Sequence, residues 1–308
     1  MELQLSQVST IGVISDIHSN YTALEAVLDR MVSLHADAFL FLGDYITDGP
    51  DPQRTLSLLR QAASHIPSVF IRGNREQYLI DHADRPDEIW KPGTSQGALL
   101  YTYQQLSPED IRWFRSLPIC HSFDDLVICH GSPRQINELL DVDETRAVSL
   151  DPAKTWLNRI DQSLMLCGHT HRQGLLSQAA ADGRMKTIVN AGSVGLPHNH
   201  DADARAAVLR RSKDGGWKPE LLSVSYDVDA IVTAYYRSEL MEMAPAWSAA
   251  NCRFIQTGHN YILHLIRQAT ALAAESSGRF CPQSLKERPL LEYPAELWAE
   301  AARMLDLL

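Results

Sequence analysis

The stretch TIGVISDIHSNYTALEAVLDRMVSL, residues 10 to 34, joins a short apolar run to a helical pattern through a polar turn. The run TIGVIS has the length and the β-branched content of a buried strand, and the segment after the turn repeats apolar residues at helical spacing. Similar segments alternate through AFLFLG at 38–43, PQRTLSLLRQAA at 52–63 and SVFIRG at 68–73. This alternation predicts an α/β domain with an extensively buried sheet.

Helix-start signals agree with that interpretation. Asp51 stands before Pro52 at the head of one helical pattern, and Ser107 opens SPED, at 107–110, ahead of another. An aspartate or serine cap followed by proline favours the first turn of a helix. Between residues 119 and 226 the pattern changes to seven short apolar runs separated by turns such as ADGR at 181–184. These runs predict a second, largely antiparallel sheet region.

Beyond Tyr226 the composition becomes helical, in segments at 228–243, 260–277 and 294–308. We therefore predict a main domain over residues 1–227 and a C-terminal helical appendage over 228–308. Residues 85–117 form a candidate helical cap insertion in the main domain. Two stretches lack a clear pattern and are predicted to be loose: APAWSAANCRF at 244–254 and SGRFCPQSLKERP at 277–289.

The overall charge is acidic. Lysine and arginine number 28 against 38 acidic residues, a formal net charge of −10 at pH 7, and no basic run exceeds two residues. We therefore expect no stable nucleic-acid complex, because a footprint on the phosphate backbone needs clustered cations. The N-terminal stretch lacks the basic and apolar regions of a secretory leader, and no apolar run approaches the roughly 18 residues that cross a bilayer. These features predict a cytoplasmic protein with no membrane partner, and they are compatible with homo-oligomerisation.

Side chains of the metal-ligand type follow five of the apolar runs, at the point where each predicted strand ends. They are Asp16 with His18, Asp44, Asn74, His130, and His169 with His171. In an open α/β sheet, ligands bind at the carboxyl edge of the strands. Each residue alone has an ordinary interpretation, such as a capping Asp or Asn or a hydrogen-bonded core histidine. Five such endings after five buried runs favour a shared site instead.

These side chains form an oxygen and nitrogen donor set with no thiolate, which suits first-row divalent metals such as manganese, iron or zinc. Seven ligands are too many for one ion. They suit two ions if one carboxylate bridges them at a separation of roughly 3.5–4 Å, an arrangement that clamps both oxygens of an in-line displacement at phosphorus. Two dications against two aspartates leave the site at about +2, which attracts an anionic substrate to an acidic protein.

The ordered motifs DIH, GDYITDG, GNRE, HG and GHTH, followed by NAGSVG at 190–195, resemble those of the calcineurin-like metallophosphoesterases. They cover residues 16–195, and the bacterial and archaeal branch with a helical C-terminal tail is the most similar. The resemblance implies a four-layer αββα sandwich with two mainly mixed β-sheets and a C-terminal helical appendage. It also implies a two-metal site at the edges of the sheets.

The resemblance assigns the ligands to two ions, of manganese or iron with zinc and nickel as alternatives. Asp16, His18 and His171 would hold one ion, Asn74, His130 and His169 the other, and Asp44 would bridge them. Asp44, Asn74 and Arg75 are the implied catalytic residues. Asp48, from the GDYITDG loop, and Glu76 would support these ligands from behind without touching a metal.

The implied activity is hydrolysis of a phosphomonoester or phosphodiester by a metal-bound hydroxide. Candidate substrates are phosphorylated small molecules, nucleotides and phosphoproteins, so that a protein serine/threonine phosphatase and a nucleotide phosphodiesterase both remain open. The alternative is a catalytically weak scaffold that keeps this fold for protein binding. The ligand set separates the two, since a decayed site should have lost ligands, and all seven are present.

One motif departs from the family pattern. Many members have histidine after GN, where it helps the leaving group to depart, whereas this chain has Arg75. A guanidinium stays protonated, so it can bind a phosphate oxygen but is a poor proton donor. Arg75 is therefore expected to bind substrate and to disfavour monoesters with poor leaving groups. The alternative is a surface arginine on the first turn of a helix.

The segment LPHNHDAD, at 196–203, places His198, His200 and Asp201 just after the GSVG turn. His198 and His200 are candidates for substrate binding at the entrance to the site, or for a third cation together with Asp201. A polar solvated loop is the more common interpretation of such a segment.

Overall fold

The computed structural model describes residues 5–143, 145, 149–181, 183–213, 215–276 and 292–308. Within these residues, the strands form two five-stranded sheets with the orders β10-β9-β1-β2-β3 and β4-β5-β6-β8-β7. The strands are β1 (Thr10–Ile14), β2 (Ala38–Phe41), β3 (Ser68–Phe70), β4 (Cys120–Ser122), β5 (Leu126–Cys129), β6 (Leu164–Cys167), β7 (Gly174–Ala179), β8 (Met185–Asn190), β9 (Ala204–Arg211) and β10 (Trp217–Val224).

Helices flank the sheets and form the C-terminal part. They are α1 (Tyr21–Ser33), α2 (Pro52–His65), α3 (Asn74–Asp84), α4 (Gly97–Gln104), α5 (Pro108–Ser116), α6 (Asp151–Arg159), α7 (Val228–Arg237), α8 (Leu240–Met243), α9 (Pro245–Thr257), α10 (Tyr261–Glu275) and α11 (Ala295–Met304). Asp51 and Ser107 cap α2 and α5 as predicted. The helical pattern at 228–243 divides at Ser238, whose extended ψ of 153° ends α7. No helix among the described residues has the length and apolar character to span a membrane.

Both sheets are mixed, which confirms the predicted fold class. In the first sheet, β1 pairs in parallel with β2 and antiparallel with β9. In the second, the pairs β5–β6 and β6–β8 are parallel, whereas β4–β5 and β7–β8 are antiparallel. The prediction of a largely antiparallel second sheet is therefore wrong, because α6 lies in a crossover between β5 and β6 that the strand pattern did not reveal.

The sequence pattern assigned the last two strands, β9 and β10, to the second sheet. That prediction is wrong, because both strands belong to the first sheet. Hydrogen bonds to the turn after β1 hold the segment before β9 there. Val194 N–H donates to Ser15 O at 3.0 Å, and Ser193 Oγ donates to the Asp16 carbonyl at 2.7 Å. Strands that neighbour in sequence usually neighbour in space, so the pattern alone favoured the wrong sheet.

Alternate positions of the central strands fill different layers. Ile11 and Val13 of β1 lie with Leu166 of β6 in the apolar layer between the sheets. Ile14 of β1 instead lies with Leu24 of α1 on the outer face of the first sheet. Helix α6 covers the outer face of the second sheet. This alternation has the period of two expected of strands, and it gives four layers in the order helix, sheet, sheet, helix.

The segment 244–254 was predicted to be loose, but it forms most of α9, so that prediction is wrong. The helix lacks a polar face, because its small residues Ala246, Ala249 and Ala250 are buried together with Phe254. A helix that is buried nearly all round shows no clear amphipathic period. Residues 277–291, which include the other stretch predicted to be loose and part of the appendage, lie outside the described residues.

The C-terminal helices pack on the main domain through one apolar cluster. It contains Tyr21, Tyr101 and Leu196 of the main domain together with Tyr235 and Trp298 of the tail. Because these side chains bury one another, the tail is expected to contribute to the stability of the whole chain. The division at residue 227 and the role of residues 85–117 as a cap stay predictions.

Trp298 offers a test of that contribution. Its side chain is 1% exposed, and its ring meets Trp247 edge-to-face at 6.0 Å. We expect Trp298→Ala to lower the free energy of unfolding by about 3–5 kcal/mol in urea denaturation. Met304→Ala, on the same helix but 56% exposed, should change it by less than about 0.5 kcal/mol. Equal effects of the two substitutions would contradict the packing role of α11.

Candidate metal centre

Most of the ligand-type residues stand on sharply turned backbone at the carboxyl ends of the strands. Asp16, His18, Asp44, His169 and His171 all have positive φ, between 49° and 66°. Such a conformation costs a residue other than glycine about 1–3 kcal/mol, and it is concentrated at functional sites. Backbone hydrogen bonds between adjacent strand ends hold these turns. The strained turns therefore direct the side chains to one edge of the two sheets.

The turns bring the side chains into two neighbouring groups. Ligand atoms of Asp16, His18 and His171 lie within 4.8 Å of one another, as do those of Asp44, His130 and His169. Asn74 adjoins the second group through its Oδ1, which is 2.9 Å from His130 Nε2. The structure thus places all seven side chains singled out in the sequence side by side.

Asp44 stands between the two groups. Its Oδ2 is 3.7 Å from His18 Nε2 in the first group and 3.4 Å from His130 Nε2 in the second. Its Oδ1 accepts a hydrogen bond from the Arg75 backbone N–H at 2.8 Å, which fixes the carboxylate. Asp44 therefore lies near histidines of both groups. Asp16 does so as well, because its Oδ1 is 3.3 Å from His171 Nε2 and 3.9 Å from His130 Nε2.

Backbone carbonyls orient two of the histidine rings. His130 Nδ1 lies 2.7 Å from the Leu42 carbonyl, and His171 Nδ1 lies 2.8 Å from the Leu196 carbonyl. A proton on each Nδ1 makes these hydrogen bonds, and it leaves the Nε2 lone pair directed at the ligand groups. When a cation replaces the Nε2 proton, these hydrogen bonds keep each ring in the tautomer that a metal ion requires.

The donor set fits divalent metal ions. It offers buried carboxylate oxygens, imidazole nitrogens and an amide oxygen, and no thiolate. His18 Nε2 and His171 Nε2 face each other at 3.1 Å. Two ring nitrogens at this distance repel if both carry protons or both carry lone pairs. A cation bound by both lone pairs removes that repulsion.

Neighbouring charges keep the carboxylates ionised. Burial alone would raise the pKa of Asp16, but the imidazoles of His171 and His130 lower it to about 2. Burial would likewise lower the pKa of His130, whereas Asp44 and Asp16 raise it to about 10. The pKa of His169 falls to about 4 because the ring is buried and lies near His130. Ionised carboxylates in this setting are ready to bind cations.

Glu76 supports the Asp44 turn. Its hydrogen bonds are made to backbone N–H groups and not to the side-chain atoms of the ligand groups. Its carboxylate accepts from the backbone N–H groups of Asp44 at 2.9 Å, Tyr45 at 2.8 Å and Gly73 at 2.9 Å. Burial and the nearby Asp44 raise the pKa of Glu76 to about 7. The side chain ties the loop after β2 to the start of α3, and so holds Asp44 next to Asn74.

Asp48 lies behind His18 and joins it to Arg75. Its Oδ2 is 3.2 Å from His18 Nδ1 and 3.2 Å from Arg75 Nη2. The Arg75 and His18 charges lower the pKa of the Asp48 carboxyl, although burial opposes them. A carboxylate that faces Nδ1 helps to hold the ring of a histidine such as His18 in place.

Residues of the C-terminal helices hold Asp48, and the sequence analysis missed them. Trp247 Nε1 donates to Asp48 Oδ1 at 2.9 Å, and the Tyr235 hydroxyl donates to the Asp48 carbonyl at 2.5 Å. Asn251 Nδ2 donates to the same carbonyl at 3.2 Å. The only signal in the sequence is the spacing of four between Trp247 and Asn251, which places both on one face of a helix. That spacing does not identify Asp48 as the target.

The substrate-binding candidates occupy different positions. Arg75 lies beside the ligand groups with its side chain 23% exposed. His198 adjoins the first group, because its backbone N–H donates to the His171 carbonyl at 3.0 Å. His200 is exposed, and its ring lies 4.6 Å from that of His259. Within the described residues, His198, His200 and Asp201 do not form a third cluster of metal ligands.

Known proteins resemble this chain in both sequence and fold. A family model described as calcineurin-like phosphoesterase matches residues 9–173, more than half of the chain. An uncharacterized protein of Methanocaldococcus jannaschii is 27% identical over 250 residues, which are 76% of this chain and 95% of that protein.

Two solved structures share the fold. The metallophosphoesterase from Sphaerobacter thermophilus has a TM-score of 0.60 and 23% identity, over 80% of this chain and 99% of that one. A hypothetical protein from Pyrococcus horikoshii has a TM-score of 0.65 and 19% identity, over 82% of this chain and 99% of that one. At these identities the likeness concerns the fold alone.

The position of Asp44 leads to a prediction about metal content. We expect the full chain to bind two manganese ions per molecule after equilibrium dialysis, as measured by elemental analysis. Asp44→Asn removes the charge that faces both groups and should reduce the content below two. Asp29→Asn, on an exposed position of α1, is the matched control and should retain both ions. Full metal content in the Asp44 variant would contradict the bridging role.

Proposed function

Because this chain belongs to the calcineurin-like phosphoesterase family, we propose that it is a dinuclear-metal-dependent enzyme that hydrolyses phosphomonoesters or phosphodiesters. The observation that carries the proposal is the contact of Asp44 with both ligand groups. The complete set of seven ligand-type side chains favours the hydrolase over a scaffold that has lost its chemistry. Manganese and iron are the proposed metals, and zinc and nickel suit the same donors.

The proposed reaction divides the work between the metals and the protein. Two bound ions would activate water as the nucleophile and stabilise the negative charge of the phosphoryl oxygens. Asp44 would bind both ions and Asn74 one of them, and His171 is already oriented by the Leu196 carbonyl. A preorganised site of this kind costs little rearrangement when charge develops in the transition state.

Arg75 is the proposed phosphate-binding side chain. Burial disfavours its charge, but Asp48 and Asp44 outweigh that effect and raise the pKa of Arg75 above its usual value. The guanidinium therefore stays protonated throughout the reaction. It can donate hydrogen bonds to a phosphoryl oxygen, but it cannot readily release a proton to a leaving group.

Metal removal tests the proposed function directly. We expect chelation to abolish hydrolysis of p-nitrophenyl phosphate and bis(p-nitrophenyl) phosphate, and manganese to restore it, because the proposed nucleophile is water activated by the metals and not a side chain. Release of p-nitrophenolate by the chelated and the reloaded protein is the measurement. A chelated protein that keeps its full turnover would overturn the proposal. The same assay over a wider set of esters establishes the preference for monoesters or diesters.

Arg75 leads to a second prediction, about leaving groups. With no proton donor at this position, kcat/KM for aryl and alkyl phosphates should fall steeply as the pKa of the leaving group rises. Arg75→His should flatten that dependence, and Arg75→Ala should weaken transition-state binding by about 1–3 kcal/mol. Arg30→Ala, on an exposed position of α1, is the control. A flat series for the unmodified enzyme would contradict the lack of a proton donor, and an alanine variant equal to it would contradict phosphate binding by Arg75.

A further inference from the structure

A cavity of about 520 Å³ opens next to Asn74 and Arg75 at the metal centre. Its apolar lining includes Trp90 and Leu99 from the segment before and within α4, and Trp247, Ile262 and Ile266 from α9 and α10. The last three residues lie in the C-terminal helices, beyond the part of the chain that matches the family model. The cavity therefore lies between residues of the matched region and residues of the C-terminal helices.

The two indole rings of the cavity are held in place. Trp90 stacks on His82 with the ring centroids 3.7 Å apart and the planes inclined by 13°. Trp247 is fixed by the hydrogen bond from its Nε1 to Asp48 Oδ1 at 2.9 Å. Rigid aromatic walls bind flat rings well, because stacking geometry is already set and little conformational entropy is lost.

Polar groups of the cavity also lack a partner within the described residues. The Ser95 hydroxyl lines the cavity and is buried, yet its Oγ forms no hydrogen bond there. Arg75 Nε is likewise buried without a partner among these residues. Buried polar groups are normally hydrogen-bonded, so an unsatisfied pair beside a cavity points to a ligand that supplies the missing partners.

Among the described residues, the cavity lining carries no unpaired positive charge. Arg85 lies 3.1 Å from Glu88 and 3.9 Å from Asp81, so one guanidinium faces two carboxylates and this group has a net charge of −1. Arg75 is paired with Asp48 on the side of the metal centre. No surplus positive charge is left in the lining for a second phosphate or for an acidic peptide. This charge distribution disfavours an anionic occupant in the cavity, and the volume is typical of small-molecule sites.

We propose that this cavity binds an uncharged aromatic or heteroaromatic ring carried by the phosphoester substrate. The phosphoryl group would lie at the metal centre against Arg75, while the ring would enter between Trp90 and Trp247 with its edge toward the Ser95 hydroxyl. This inference rests on the proposed phosphoesterase function and names the substrate class: small ring-bearing phosphoesters, rather than phosphoproteins or short alkyl esters.

Two phosphonates test the cavity without turnover, since neither contains an ester bond. Methylphosphonate presents the anionic head alone, and 1-naphthylmethylphosphonate adds an uncharged ring to the same head. We expect the manganese-loaded full chain to bind the naphthyl compound about tenfold or more tightly, as measured by calorimetry. Ile266→Trp fills the cavity and should bring the ratio of the two affinities close to one.

Two further variants make the result decisive. Ile262→Trp, one helical turn from Ile266, fills the same space and serves if the first variant fails to fold. Val32→Trp, 58% exposed on α1, is the matched control and should keep the ratio of the unmodified protein. Equal affinities for the two phosphonates in the unmodified protein, or a ratio that survives both cavity variants, would overturn the inference.

The outcomes separate this inference from the proposed function. If methylphosphonate binds but the ring adds nothing, the cavity proposal is wrong and the phosphoryl site stands. If only the naphthyl compound binds, and the cavity variants abolish its binding, the cavity is supported while the phosphoryl site is not. If neither compound binds, both proposals fail.

Discussion

The structure depends on the placement of two carboxylates, four imidazoles and an amide, most of them buried, at one edge of two sheets. Uncompensated charges in such a place cost several kcal/mol each, so their placement demands partners on every side. The fold supplies these partners in two ways. Turns with positive φ at the strand ends bring the side chains together, and backbone carbonyls accept hydrogen bonds from the ring nitrogens of two histidines. The carboxylate of Glu76 also accepts a hydrogen bond from the backbone N–H of Asp44 and so stabilises that turn. The four layers serve to hold these turns against one another.

The sequence predicted those features that depend on local pattern. Apolar runs of strand length ending in Asp, Asn or His indicated both the strands and the edge where the ligand-type residues meet. The caps at Asp51 and Ser107 likewise depend on a few adjacent residues, and both were predicted. The resemblance to a known family added the expectation of two metals and a four-layer arrangement, and the two mixed sheets agree with that fold.

The features that the sequence did not reveal depend on contacts between distant segments. β9 and β10 pair in the first sheet because the segment around Ser193 is tied to the turn that carries Asp16. α9 was missed because a helix buried nearly all round has no apolar stripe to detect. The hydrogen bond from Trp247 to Asp48 could not be inferred from the sequence either, because it joins residues almost two hundred positions apart in the chain.

That hydrogen bond gives one side chain two connected roles in the proposed enzyme. Trp247 holds the carboxylate behind His18 through its Nε1, and the same indole lines the cavity beside Arg75. A group that enters the cavity would therefore lie against the indole that holds Asp48 next to His18, a proposed metal ligand. In an enzyme, interactions remote from the reacting atoms improve the rate only if they position the chemistry. The rigid indole of Trp247 lines the cavity and also holds Asp48. Through this indole, a ring on the substrate could position the chemistry at the metal centre.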